Sequence, residues 1–420
     1  MENKKLKVVW LCYFNNQFVQ DQIKPWKRVG EIAPWISNMI PLFENDDTVE
    51  LHVVSQHEWM CGYKSFKSKG VTYHFFNAGI PVIGRHWPGF FKFDQWTDFF
   101  ITKMHIVRIV KKINPDIIHL HGSENEFCAA ITQFQKRYPV FITIQGFIHK
   151  SFAISKGIYR IVQNELKILK MFNHYGYRTQ TMGEDIKVLN KEAVLHWHNY
   201  PNLKISPVEV DKQFDLVFFA RVSKDKGIGD LLQAVSIIKK EKPEISLCVI
   251  GGGELNIWKE KAEELNISEN IHWAGFLASQ KDVHAMASTA RISVLPTYHD
   301  IIPGTIVESL FLKLPVVAYD VGSIHEVNEH EKIISLVEKF DINGIVESIL
   351  LLLNDVQLRE EKAEKGYTRA HEMFNPGNEK IKADILNAYS EVIKDFNKSK
   401  MKVAVRLTLN MCTSFDIYTE

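Results

Sequence analysis

A chain of 420 residues, 45% hydrophobic and 24% charged, is long enough for two or three ordinary globular domains. Its formal net charge of +1 supplies no basic field, which argues against a nucleic-acid partner. Its five cysteines (Cys12, Cys61, Cys128, Cys248 and Cys412) are odd in number and form no CxxC pair, which argues against a disulfide framework or structural zinc and fits a reducing cytoplasm.

The N-terminus, MENKKLKVVWLCYF, has a short apolar run and no small-residue cleavage site after it, so it reads as a first strand, Leu6 to Tyr13, rather than a signal peptide. No apolar run approaches the roughly 20 residues that span a bilayer, so any membrane contact is expected to be peripheral. Glu50–Ser55 and Val71–Phe76 read as further strands. The adjacent acids Asp46 and Asp47 precede a strand rather than follow one, and read as solvated turn residues, not a metal motif. Trp87 to Phe100 is dense in aromatics. It suits interfacial membrane binding with the basic residues Lys103, Arg108, Lys111 and Lys112 beside it, or a core in which half the aromatics are buried. A helix is predicted over Asp94–Lys112, with Phe100, Met104, Val107 and Val110 at helical spacing, stopped by Asn114-Pro115. Strands Ile117–Leu120 and Pro139–Ile144 and a helix over Lys156–Lys170 follow. Arg178–Asn190 is predicted to hold a strand end and a short helix. Helix, stop and short apolar strand, repeated, is the pattern of an open parallel sheet covered on both faces.

Ligands of such sheets sit beyond the carboxyl ends of the strands. The loops of interest in the first half are therefore Asn15-Asn16, His119–Glu124 and Gln145-Gly146. His119 and His121 read either as cleft-lining side chains or as satisfied structural histidines. His196 and His198 chelate a metal only from an extended segment, and packing in a linker is the default. Pro201–Val210 is polar and irregular, and the domain linker is placed there.

The strand–helix pattern then restarts. Strand Asp215–Phe219 leads to Arg221, Lys226 and Gly227, and a helix begins near Ile228. Two cations five residues apart at a helix start can clamp a diphosphate, or can be solvated surface charge. Strand Ser246–Ile250 ends in Gly251-Gly252-Gly253-Glu254, which either lets a flat ligand approach the backbone, with Glu254 accepting from a ribose hydroxyl, or makes a tight turn. Ile271–Trp273 reads as a short strand and Asp282–Ala290 as a helix. Then comes RISVLPTYHDIIPGTIVESLFLKLPVVAYDVGSIHE, Arg291 to Glu326. It predicts a strand, a loop carrying Asp300, a helix over about Thr305–Lys313 carrying Glu308, and a second strand, Val316–Tyr319, with Gly322 in the turn after it. Carboxylates that flank a helix start suit a sugar phosphate, because the unpaired N–H groups there favour the anion. Asn343–Asn354 and Val356–Lys394 are predicted helical, broken near Asn375-Pro376-Gly377. The tail reads as a weak anchor, a disordered segment, or, from the alternation VAVRLTL, a strand.

Taken together, FFARVSKDKGIGDLLQA, VIGGGEL and the Arg291–Glu326 stretch, in which two acids are separated by seven residues, resemble the GT-B retaining glycosyltransferases of family 4, glycosyl transferases group 1. The likeness runs from about Asp215 to Glu326, and is looser in the first half, chiefly through NPDIIHLHG. It implies an α/β fold of two Rossmann-like doubly wound parallel-sheet domains facing a central cleft. The expected boundaries are 1–203 for an acceptor-binding domain and 204–378 for a nucleotide-sugar-binding domain. A helix over 379–398 is expected to pack back on the first domain, followed by a tail over 399–420.

The resemblance also implies roles. Arg221 and Lys226 hold the diphosphate in place of a metal, and Asp300 faces the donor sugar. Glu308 bonds the ribose hydroxyls, and the backbone at Ile302, Gly304 and Thr305 cradles sugar and phosphate. Gly252 and Glu254 lie near the base, with Phe276-Leu277 alongside. Asn15, Asn16, His121 and Gln145 are the acceptor-side candidates. Neither a cofactor nor a metal is expected. The expected partners are a nucleotide-sugar donor and a glycan or lipid-linked acceptor, at the cytoplasmic face of a membrane in the peripheral case. Two departures from the family pattern stand out: Asp300 where Glu is usual, and Gln145 where many members have His, an exchange that removes a general base. Ala220 also replaces a usual Gly, and Asn15-Asn16 replaces paired glycines with residues that tolerate left-handed backbone. The competing readings are a nucleotide-sugar epimerase or hydrolase of the same fold, with Glu124 and Glu126 as candidate acids, and a non-catalytic nucleotide-binding subunit.

Overall fold

The computed structural model describes residues 4–79, 93–150, 158–201 and 205–415, with side chains described as far as Lys402. Residues 87–92 of the aromatic segment, 156–157 of the long helix, 202–204 of the linker and 416–420 of the tail lie outside the described residues.

The first half runs β1 (Leu6–Leu11), α1 (Gln17–Ile23), α2 (Pro34–Met39), β2 (Val49–Gln56), β3 (Tyr63–Ser68), β4 (Val71–Phe76), α3 (Phe93–Trp96) and α4 (Phe100–Ile113). It continues with β5 (Ile117–His121), β6 (Val140–Thr143), α5 (Tyr159–Met171), β7 (His174–Tyr177), α6 (Gln180–Leu189) and β8 (Val194–Trp197). Among the described residues these strands form one sheet in the order β3-β4-β2-β1-β5-β6-β7-β8, parallel except for the β3–β4 pair. The buried runs of β1, β5 and β6 are continuous rather than alternating, as a sheet covered on both faces requires.

β3 has no counterpart in the sequence reading. Its YKSFKS is polar and largely exposed, and its lysines suit an edge. It pairs with β4 through a two-residue turn, Lys69-Gly70, both at positive φ, the backbone that tight hairpins favour. The single helix expected over Asp94–Lys112 is two. Asp98 and Phe99 take φ of 50° and 56°, which buries Phe99 and restarts the helix at Phe100. The expected stop holds: Asn114, at φ 50°, returns its amide to the Val110 carbonyl. His196 lies in β8 rather than in a linker, and its Nε2 is 3.1 Å from His174 Nδ1 on β7. Asp46 is not solvated. Its carboxylate caps the turn by accepting from the Thr48 and Val49 amides at 2.6 and 2.9 Å and pairs with Lys382. Burial pushes this carboxyl up, but those donors win and hold it at about 2.

The second half runs β9 (Phe214–Phe219), α7 (Ile228–Ile238), β10 (Leu247–Ile250), α8 (Leu255–Glu264), β11 (Ile271–Gly275), α9 (Gln280–Ala287), β12 (Ala290–Leu295), α10 (Gly304–Phe311), β13 (Val316–Tyr319), β14 (Ser335–Val337), α11 (Ile342–Asn354) and α12 (Val356–Phe374). Its sheet is parallel throughout, in the order β11-β10-β9-β12-β13-β14. Strand order therefore reverses between β9 and β12, the position where open α/β sheets offer a ligand crevice. The apolar stripe Leu231, Leu232, Val235 and Ile238 of α7 packs into the core on this sheet.

The last helix, α13 (Asn378–Phe415), carries through the tail segment for which a strand was one reading. Its Ile381, Ile385, Ala388, Tyr389 and Val392 recur at helical spacing and pack with the β1 core. The chain thus divides into two compact units. One gathers the chain through Arg178, Gly183–Tyr200 and the segment from Gly377; the other gathers Thr179–Met182 and Pro201–Pro376.

Candidate functional site at the strand ends of the second unit

Four loops meet at the carboxyl ends of β9, β10, β12 and β13, and glycine is what lets them touch. Gly227 (φ 76°) ends the β9 loop, and a Cβ there would sit 1.8 Å from the Pro296 carbonyl oxygen of the β12 loop. The Tyr298 amide donates to the Asp225 carbonyl at 2.8 Å, and Thr305 Oγ1 donates to the Phe219 carbonyl at 3.0 Å. Gly322 (φ 59°), after β13, supports the Asp300 backbone so closely that a Cβ would fall 1.9 Å from its carbonyl oxygen. The glycine triplet plays a similar part. Gly251 and Gly253 lie against the Ala220 and Val222 carbonyls, at distances no Cβ permits, and the Val222 amide donates to the Gly252 carbonyl at 2.9 Å. Two of its three glycines therefore make a tight turn packed closely on the β9 loop. Gly252 faces the exposed Phe276, and exposed Glu254 gives its amide to the Val222 carbonyl.

On this frame the charges singled out in the sequence come together. Lys226 Nζ lies 2.5 Å from Asp300 Oδ2, so the β9 cation and the β12 acid face each other across the reversal point. Arg221 is exposed and pairs with Asp225 at 2.9 Å. Burial pushes the Asp225 carboxyl up, but the Ser223 hydroxyl and the Arg221 guanidinium hold it below the usual range. Ile302 is buried, and Pro303 delivers the chain to α10, whose first turn has neither an acidic residue nor a side-chain cap. The first amides of that turn, at Gly304 and Thr305, have no intrahelical acceptor, as at any helix start.

Glu308 lies one turn inside α10. Its Oε1 accepts from Gln280 Nε2 at 3.0 Å, and its Oε2 is 3.2 Å from His284 Nε2. The sequence reading missed both α9 partners. Glu326 is structural, since its carboxylate accepts from the Gln180 and Thr181 amides, each at 2.8 Å.

The first-unit candidates fare differently. Asn15 and Asn16 do not take left-handed angles. Asn16 (φ −148°) caps α1 by accepting from the Val19 amide at 2.9 Å, and Asn15 is buried and donates to the Gly30 carbonyl at 3.0 Å. His121 lines no open surface. It is buried beside His119, with ring centroids 3.8 Å apart. Both bond Thr143 Oγ1, at 3.3 and 3.1 Å, and His119 Nδ1 is also 2.7 Å from the Tyr389 hydroxyl. Burial, together with neighbouring histidines, drives both imidazoles well below their usual range. Gln145 is half-buried and donates to the Tyr200 hydroxyl. Glu126 is buried, whereas burial lifts the Glu124 carboxyl to about 7. Among the described residues no three His, Cys, Asp or Glu side chains are placed to hold a metal ion, and no helix is long and apolar enough to cross a membrane.

Residues 200–369 match the family model described as glycosyl transferases group 1. A capsular polysaccharide biosynthesis glycosyltransferase, CapM of Staphylococcus aureus, is 27% identical over 44% of this chain and 48% of its own, so the chain spans about half the length of that relative. Sucrose-phosphate synthase from Thermosynechococcus elongatus superposes with a TM-score of 0.73 at 16% identity, over 93% of this chain and all of that one. Anabaena HepE, solved with UDP and glucose, superposes with a TM-score of 0.64 at 14% identity, over 92% and 99% of the two chains.

Proposed function

We propose that this chain, whose residues 200–369 match the glycosyl transferases group 1 and whose fold is that of the GT-B enzymes, transfers a sugar, with retention of anomeric configuration, from a nucleoside diphosphate sugar to a glycan or lipid-linked acceptor. One observation carries the reading. At the sheet's reversal point Lys226 of the β9 loop pairs with Asp300, just before the start of α10, the helix that carries Glu308. In this account Lys226 and Arg221 neutralise the diphosphate as the bond to the anomeric carbon breaks, so no metal is needed for that charge. The open amides of α10 receive phosphate or sugar oxygens. Asp300 accepts from the sugar hydroxyls, and Glu308 accepts from the ribose. HepE was solved with UDP and CapM is named for capsular polysaccharide, which supports a nucleotide-sugar donor and a surface-glycan product.

The acceptor side includes peripheral membrane contact. Trp96 and Phe100 are 76% and 62% exposed, close to the basic residues of α4. If vesicles of anionic lipid fail to sediment the protein at low salt, this part falls. Glu124, with its carboxyl lifted to about 7, is the observation that favours the epimerase or hydrolase reading. Incubation with a panel of nucleotide sugars, with and without acceptors, separates the readings. Transfer with retained configuration, or donor hydrolysis, supports the proposal, an epimerised donor replaces it with the alternative, and binding without turnover leaves a non-catalytic subunit.

A further inference from the structure

Both carboxylate oxygens of Glu308 are engaged by a neighbouring helix. α9 is capped by Ser279, whose side chain accepts from the Asp282 amide, and is packed against the sheet through Val283, Met286 and Ala287. Gln280 and Glu308 lie on different helices, 28 residues apart in the chain, and His284 is 24 away. One turn separates Gln280 from His284, so α9 presents both on one face. Gln280 takes one lone pair of Oε1 and His284 one of Oε2. A carboxylate has about four acceptor sites, so one on each oxygen remains. Glu308 Oε1 lies 3.9 Å from where a Cβ of Gly304 would stand, so the carboxylate leans toward the helix start. The Glu308 and His284 side chains are only 23% and 12% exposed, so the arrangement is not a freely solvated surface pair.

We propose that Gln280 and His284 are positioning residues for the donor ribose: they clamp the Glu308 carboxylate from the α9 side so that its two remaining acceptor sites meet the 2′- and 3′-hydroxyls together. The inference rests on the nucleotide-sugar reading of the site. It requires His284 to present an N–H at Nε2.

The test uses the full chain and whichever of UDP, GDP and ADP binds it most tightly, alongside the 2′,3′-dideoxy form of the same nucleotide. Wild type should lose about tenfold in affinity when the hydroxyls are removed, the equivalent of one charge-assisted hydrogen bond. The Gln280→Met/His284→Ala variant should show that ratio reduced to about twofold with an unchanged thermal midpoint, and restoring a donor with His284→Gln should recover part of it. If the double variant is unstable, the single change Gln280→Met should reduce the ratio to about fivefold. A variant that keeps the full wild-type ratio overturns the clamp while leaving the donor site standing. A wild type that does not distinguish the two nucleotides, or binds no diphosphate, overturns the Glu308–ribose reading itself and takes the clamp with it.

Discussion

Asp300→Asn separates the two partners of the Lys226–Asp300 pair without changing shape. The charges are 2.5 Å apart and their side chains are 22% and 26% exposed. At an effective dielectric of about 20 the gross attraction is about 7 kcal/mol, most of which desolvation offsets, leaving a net coupling of about 1–2 kcal/mol. An incoming diphosphate must share or displace Asp300 to reach Lys226. Free diphosphate carries no sugar, so it gains nothing from Asp300 in return. Asp300→Asn is therefore expected to bind free nucleoside diphosphate about tenfold more tightly, while sugar transfer falls about a hundredfold because the sugar hydroxyls lose a charged acceptor. Isothermal titration with UDP, GDP and ADP reads the first effect, and a product-release assay the second. Lys226→Ala in the Asp300→Asn background should abolish the gain, closing a double-mutant cycle. Unchanged or weaker diphosphate binding by Asp300→Asn would refute the reasoning.

Two further outcomes concern the frame and the first unit. Gly322→Ala forces a Cβ to within 1.9 Å of the Asp300 carbonyl oxygen at φ 59°, so unfolding by urea should show a loss of about 2–3 kcal/mol and transfer should drop with it; a variant of wild-type stability and rate would contradict the packing. His119, His121 and His198 are buried with pKa values depressed by burial, His198 to about 3. Above the unfolded value near 6.5 both states are neutral and nothing is lost. Below it the unfolded chain takes up protons that the folded chain refuses, so stability falls as pH drops from about 6.5 toward 3, by up to about 1.4 kcal/mol per pH unit for each histidine. Urea midpoints at pH 7.5, 6.5 and 5.5 should stay level and then fall, and His198→Phe should flatten the slope by about one proton; a level profile to pH 5 excludes the effect.

Much of the architecture was legible because parallel strands buried on both faces leave continuous apolar runs such as VVWL in β1, LVFF in β9 and VVAY in β13. The charges at the strand ends were legible for the same reason, since each follows such a run directly. β3 escaped because an edge strand that buries almost nothing has no apolar signature. The α3–α4 break escaped because Phe99, a residue that seldom takes positive φ, does so to reach the core. Gln280 and His284 escaped because their meaning lies in Glu308, which the fold rather than the chain brings near. Of the two readings of the glycine triplet, the structure bears on the tight turn. Its close approach is to the Ala220 and Val222 backbone, and only the conformational need for glycine was visible in the letters.

The claim that nucleoside diphosphate binds at the ends of β9 and β12 is tested most directly by titrating UDP, GDP and ADP into the wild type and into Lys226→Ala and Glu308→Ala. At least one diphosphate should bind the wild type, and each variant should weaken it by about tenfold or more. Wild-type affinity in both variants would place the nucleotide elsewhere.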